Sequence, residues 1–139
     1  MSTRLADLGR AVKQLQSRHH RAIESRLLAV GSSLAQWDAL RAIDRNPGAT
    51  SHALATYTFQ TDQSFGALAA RLLEKGLVQR AQGKGRAVSY ELTSTGRDIL
   101  AVGTKIADDV LAESFAPLDE AERETLFSLL SRLLAGSED

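Results

Sequence analysis

The chain has no cysteine, only two prolines, and aromatic residues amounting to 5% of its 139 positions. Without cysteine there can be no disulfide framework, thiolate metal site or cysteine redox sensor. So few prolines argue against a linker-like disordered chain, and the apolar share of 43% is ordinary for one globular domain. No stretch approaches the roughly 20 apolar residues that cross a bilayer. The start, MSTRLADLGR, lacks a secretory apolar core. A cytoplasmic protein with no membrane partner is therefore expected. Enzyme signatures are also missing: there is no phosphate-cradling glycine loop, no nucleophile elbow and no carboxylate pair on a plausible cleft. Asp108-Asp109 and Asp119-Glu120 read as solvated helix faces and a cap. No catalytic residue and no cofactor are expected. His19, His20 and His52 are scattered and have no cysteine beside them, so no metal site is expected.

Net charge is absent as well, but the zero conceals a separation. Residues 1–70 sum to +3, residues 71–97 to +4, and residues 98–139 to −7. A basic middle beside an acidic tail suits contact with phosphate while the remainder stays soluble.

What is present is periodicity. Leu5, Leu8, Val12, Leu15, Ile23 and Leu27 recur at helical spacing with no break residue, predicting a long amphipathic helix over 3–30 that ends at Gly31-Ser32-Ser33. A second helix is predicted from Leu34 to Arg45, followed by an Asn46-Pro47-Gly48 turn. Thr50 is placed to cap a short helix, and Tyr57 to Gln60 to form a turn. The next helix, capped by Thr61, turns Phe65, Leu68, Ala69 and Leu72 to one side and stops at Gly76. Leu77 to Gln82 then reads as a strand. Its partner sets Val88, Tyr90 and Leu92 in alternation with Ser89 and Glu91. Gly83-Lys84-Gly85-Arg86-Ala87 is the hairpin tip. Thr93 opens a long helix with two apolar stripes, broken at Pro117. Asp119 and Glu122 start a last helix carrying Leu126, Leu129, Leu130 and Leu133.

Helix, turn, helix and basic hairpin make a winged helix-turn-helix, a mostly α member of the α+β class. The predicted division is an N-terminal dimerisation helix at 1–31, a DNA-binding module at 32–95 and C-terminal dimerisation helices at 96–139, together one intertwined domain. A winged module alone cannot bury the stripes of the terminal helices, whose joint exposure exceeds what a monomer tolerates. A two-fold homodimer removes that surface.

The chain resembles the MarR family of bacterial transcription regulators. RLLEKGLVQR is similar to the family's leucine, three residues, then Gly-Leu-Val and an arginine. Arg86, followed six residues later by Leu92-Thr93 and then by Gly96, resembles its wing-to-helix junction, and LDEAERETLFSLLSRLL its closing helix. The order and spacing of these motifs hold across nearly the whole chain. One departure is Lys84, two residues before the wing arginine, at a position where the family usually has an aspartate; it makes this tip more basic. The resemblance implies a homodimer on a pseudo-palindromic operator.

Residues expected at double-stranded DNA follow from chemistry. Gln63 can pair two hydrogen bonds with an adenine edge, and Gly66, Ala67 and Ala70 let the helix approach closely, with Ser64 and Arg71 flanking them. Thr61 and Ser64 can reach phosphates from the helix start, and Thr50 and Ser51 are also expected at the DNA. Asp62 is set against phosphate and serves the helix N-terminus instead. Arg86 is expected in a minor groove, with Lys84 on flanking phosphates.

The family resemblance also implies a small, often anionic aromatic effector between the dimer helices and the winged module. His19, Arg26 and Trp37 could line its pocket. The plainer alternative is a core histidine with Arg26 at the stripe edge. The expected function is a transcriptional repressor released by a small molecule. The alternatives are a winged-helix protein–protein adaptor and a DNA-binding regulator without ligand control.

Overall fold

The computed structural model describes residues 2–82 and 88–136. Six helices and one antiparallel hairpin follow in order: α1 Leu5–Ala29, α2 Leu34–Arg45, α3 Ser51–Tyr57, α4 Asp62–Glu74, β1 Val78–Gln82, β2 Val88–Leu92, α5 Ser94–Phe115 and α6 Glu120–Ala135. The wing register pairs Val78 with Leu92 and Gln82 with Val88.

Every helix start but that of α1 is set by a side-chain oxygen. Ser33, Thr50, Thr61, Thr93 and Asp119 each accept a backbone N–H from the first turn of the helix they precede. Asp119 and Glu122 complete a reciprocal capping box. Three helix ends, those of α1, α3 and α4, are set by left-handed residues. After α1, Gly31 at φ 78° lets Ser32 N–H reach the Leu27 carbonyl; after α4, Gly76 at φ 72° lets Leu77 N–H reach that of Leu72. The end of α3 uses the same closure, Gln60 N–H to Ala55 O, but its left-handed residue is Phe59 at φ 57°.

Two cores result. The larger joins α2, α3, α4 and the wing through Leu40, Leu54, Phe65, Leu72 and Leu92. The smaller joins α1 to α5 through Ile23, Leu27, Ala107 and Val110, with Trp37 of α2 against it. Outside these cores, the first half of α1 and all of α6 bury nothing; Leu5, Val12, Phe127 and Leu133 are exposed. None of the described helices is long and apolar enough to cross a membrane.

The expected alternation of β2 fails at its outer end. Val88 is exposed and Ser89 is buried, its hydroxyl donating to the Ala81 carbonyl at 3.1 Å. That hydrogen bond is what lets a polar side chain occupy an inward position there.

Candidate nucleic-acid interface

α4 presents two chemically distinct faces. Phe65, Leu68, Ala69 and Leu72 are buried, whereas Gln63, Ser64, Gly66, Ala67, Ala70 and Arg71 are all exposed. The structure therefore brings every predicted residue of this helix to the outward side. Gly66 is informative because a Cβ there would meet nothing within 4 Å. Internal packing does not require glycine, yet glycine in a helix interior costs about 1 kcal/mol relative to alanine. A partner lying close along the helix would give it a role. Arg71 makes no ion pair among the described residues.

Thr50 and Thr61 cap α3 and α4, accepting the N–H of Ala53 at 3.1 Å and of Ser64 at 3.0 Å. Capping uses an acceptor lone pair and leaves each hydroxyl proton free to donate outward. Ser51 begins α3 and is half-buried. Asp62 lies in the first turn of α4, as expected, and also reaches across to α3, with His52 Nδ1 2.9 Å from its Oδ1. The wing adds an exposed Arg80 on β1, which the sequence reading did not select. Lys84 and Arg86 lie outside the described residues.

A joint ties this surface to α5. Thr93 donates its hydroxyl to the Gly76 carbonyl at 2.7 Å and its N–H to that of Leu77 at 3.1 Å. Gly96 packs so closely on Leu77 that a Cβ would overlap the carbonyl oxygen. The end of α4, the wing and the start of α5 thus share one fixed corner.

The three candidate effector residues do not share one pocket. His19 and Arg26 line a cleft of about 330 Å³ between α1 and the end of α5. His19 Nε2 lies 2.6 Å from Ser114 Oγ and its ring stacks obliquely on Phe115 at 5.3 Å. Burial, and then the neighbouring Arg18 charge, lower the pKa of His19. Arg26 is paired with Glu113 at 3.0 Å. Trp37 lies apart from them: its indole N–H donates to Thr104 at 3.2 Å, and Gly103 leaves room for the ring, which a Cβ there would overlap. A second cleft of about 280 Å³, not anticipated from sequence, lies between the end of α1 and α5, lined by Leu27, Val30, Ile99 and Val102. The Ser32 hydroxyl beside it is buried and has no partner among the described residues.

The order of helices and the antiparallel hairpin define a winged helix-turn-helix protein. Residues 30–87 match the model of the MarR family. A probable transcriptional regulator from Pseudomonas aeruginosa is 29% identical, with 94% of this chain and 99% of that one covered and a TM-score of 0.75. A mutant MarR from E. coli, solved with operator DNA, is 25% identical over 92% of this chain and 94% of that one, at a TM-score of 0.79. A Mycobacterium tuberculosis MarR family protein solved with salicylic acid is 22% identical over 95% and 97%, at 0.75. No curated protein matches the chain. Over residues 30–87 the chain is thus similar to the MarR family, and its whole fold is that of these solved winged helix-turn-helix proteins.

Proposed function

We propose that the protein is a homodimeric repressor that reads a pseudo-palindromic operator and is released by a small aromatic or anionic ligand. The observation that carries the DNA reading is the outward face of α4, where Gln63, Gly66, Ala67 and Ala70 form a low surface flanked by Ser64 and Arg71. Such a face admits close approach to base edges, while Thr50, Ser51 and Thr61 position it on phosphates. Lys84 and Arg86 are assigned to the neighbouring backbone and minor groove. The operator complex of the E. coli relative supports the same partner here. The dimer is supported by α6, which buries no residue within the protomer. The effector is supported by the salicylic acid complex of the M. tuberculosis relative and by the clefts bordering α5.

The test is binding to duplex DNA flanking the protein's own gene, measured across salt with and without salicylate. Gln63→Ala should cost about 1–3 kcal/mol on the preferred site and relax preference at one base pair per half-site. Lys84→Ala should flatten the slope of log K against log salt by about 1 per subunit. If neither substitution alters duplex binding, the protein–protein adaptor reading replaces this one. If DNA is bound but salicylate-type ligands never release it, the regulator acts without ligand control.

A further inference from the structure

The pair joining α3 to α4 has a chemistry that the contacts above do not use. His52, the second residue of α3, places Nδ1 2.9 and 3.1 Å from the two carboxylate oxygens of Asp62, the first residue of α4. Both side chains are largely exposed, 78% and 68%. An ionised carboxylate can only accept, so Nδ1 carries the proton of this hydrogen bond. The other ring nitrogen, Nε2, makes no hydrogen bond among the described residues, on a side chain that is largely exposed. On a neutral imidazole it is a bare acceptor; on an imidazolium it is a donor.

The dyad sits between the two segments assigned to phosphate. Ser51 precedes His52, and Thr61 and Gln63 bracket Asp62. With DNA on this face, a bare Asp62 carboxylate would repel a phosphate, and a neutral His52 would offer it a lone pair where a donor is needed. Protonation reverses both effects, because Asp62 gains a counter-cation and Nε2–H can donate a charge-assisted hydrogen bond to a phosphate oxygen. The ionic surroundings leave this role to the pair. α3 has no other charged residue. On α2, which also packs against α3, Arg41 lies over Trp37 and Asp44 is bridged to Arg97, leaving Asp38 and Arg45. On α4, Arg71 and Glu74 follow Asp62 by more than two helical turns. Among the described residues, Asp62 is the one ionised group within ion-pair distance of His52. An exposed pair of this kind adds little to folding, so its effect falls on the bound state.

We propose, resting on the DNA reading above, that His52 and Asp62 form a proton-linked phosphate contact. Binding draws one proton from solvent onto His52 Nε2, and the resulting imidazolium, held by Asp62, grips a backbone phosphate beside the recognition helix. Affinity for duplex DNA then rises as pH falls through the imidazole range, by up to about tenfold per pH unit for each proton taken up.

The contact is to backbone, so a labelled mixed-sequence duplex at low salt is a sufficient probe. Anisotropy titrations between about pH 8 and about pH 6 span the imidazole range, and calorimetry in two buffers of different ionisation enthalpy counts protons. Wild type should show the slope and net proton uptake. His52→Gln, which keeps an amide to face Asp62 but takes no proton, should lose both. Asp62→Asn should reduce the uptake while binding more tightly than wild type at the alkaline end, where the removed anion was unneutralised. On the wild type, adding duplex at neutral pH should give His52 ring resonances an imidazolium signature, a readout that needs no substitution. A wild type without slope, or a His52→Gln protein with wild-type slope and uptake, overturns the proposal and leaves the DNA reading standing. Absence of duplex binding at every pH and salt removes both.

Discussion

The winged module and the terminal helices carry similar apolar periodicities and have opposite fates in the protomer. In the module, Leu40 and Phe65 are fully enclosed at 0% exposure, whereas Leu5 of α1 is 84% exposed and Leu133 of α6 is 69% exposed. Periodicity announces that a face will be buried; it does not say against what. In the module the covering elements follow within a few tens of residues, so one chain closes its own core. The α6 stripe and the first half of the α1 stripe find no such cover among the described residues, which is the physical reason for proposing a second copy.

Substituting one residue in each region tests this contrast most severely. Leu130→Asp should dissociate and unfold the protein together, since an unpaired charge cannot stay in a closed apolar interface. Phe65→Ala should instead cost about 3–5 kcal/mol through its cavity, with the oligomeric state unchanged while folded. Sedimentation and denaturant unfolding at several protein concentrations separate the two. A folded wild-type monomer at micromolar concentration would break the comparison.

Two glycines sharpen it, one within the module and one at its joint with α5. At Gly96 a Cβ would strike the Leu77 backbone, which cannot swing aside as a side chain would. Gly96→Ala should therefore cost at least about 1–3 kcal/mol, read as a lower urea midpoint. At Gly66 a Cβ meets open space. Gly66→Ala should raise stability by up to about 1 kcal/mol from helix propensity and at the same time weaken DNA binding. If Gly66→Ala binds as wild type does, the close approach assigned to this face is wrong.

These glycines also mark how far the sequence could be read. Features set by a few neighbouring residues were legible: the caps at Thr50, Thr61, Thr93 and Asp119, the stops at Gly31 and Gly76, and the two faces of α4. What escaped depends on partners far away in the chain. Ser89 looked outward until its bond to the Ala81 carbonyl was visible. Trp37 shared an apolar face with its neighbours in sequence, but Gly103 and Thr104 of α5 hold it away from the His19 cleft. The His52–Asp62 link crosses a turn whose left-handed residue, Phe59, carries no sequence signal for that conformation.

The smallest expected effect concerns the seam between the two regions, at His19 on α1. Its folded-state pKa lies below the ordinary value, by burial first and the Arg18 charge second. The folded protein therefore resists protonating this ring, and the unfolded chain takes the proton more readily. His19's contribution to stability is fully present above the unfolded value near 6.5 and is lost as pH falls below it toward the folded value. His19→Leu removes this titration and keeps an apolar side chain beside Phe115, so the loss of stability between neutral and mildly acidic pH should shrink in the variant. Parallel urea midpoints at the two pH values measure it, and an unchanged difference would show that acid sensitivity resides elsewhere. The same variant bears on the effector. DNA binding should persist, because the substitution lies outside every residue assigned to DNA. Altered release by salicylate would place the His19–Ser114 cleft in ligand control, and unaltered release would leave His19 as a half-buried structural ring held by one hydroxyl.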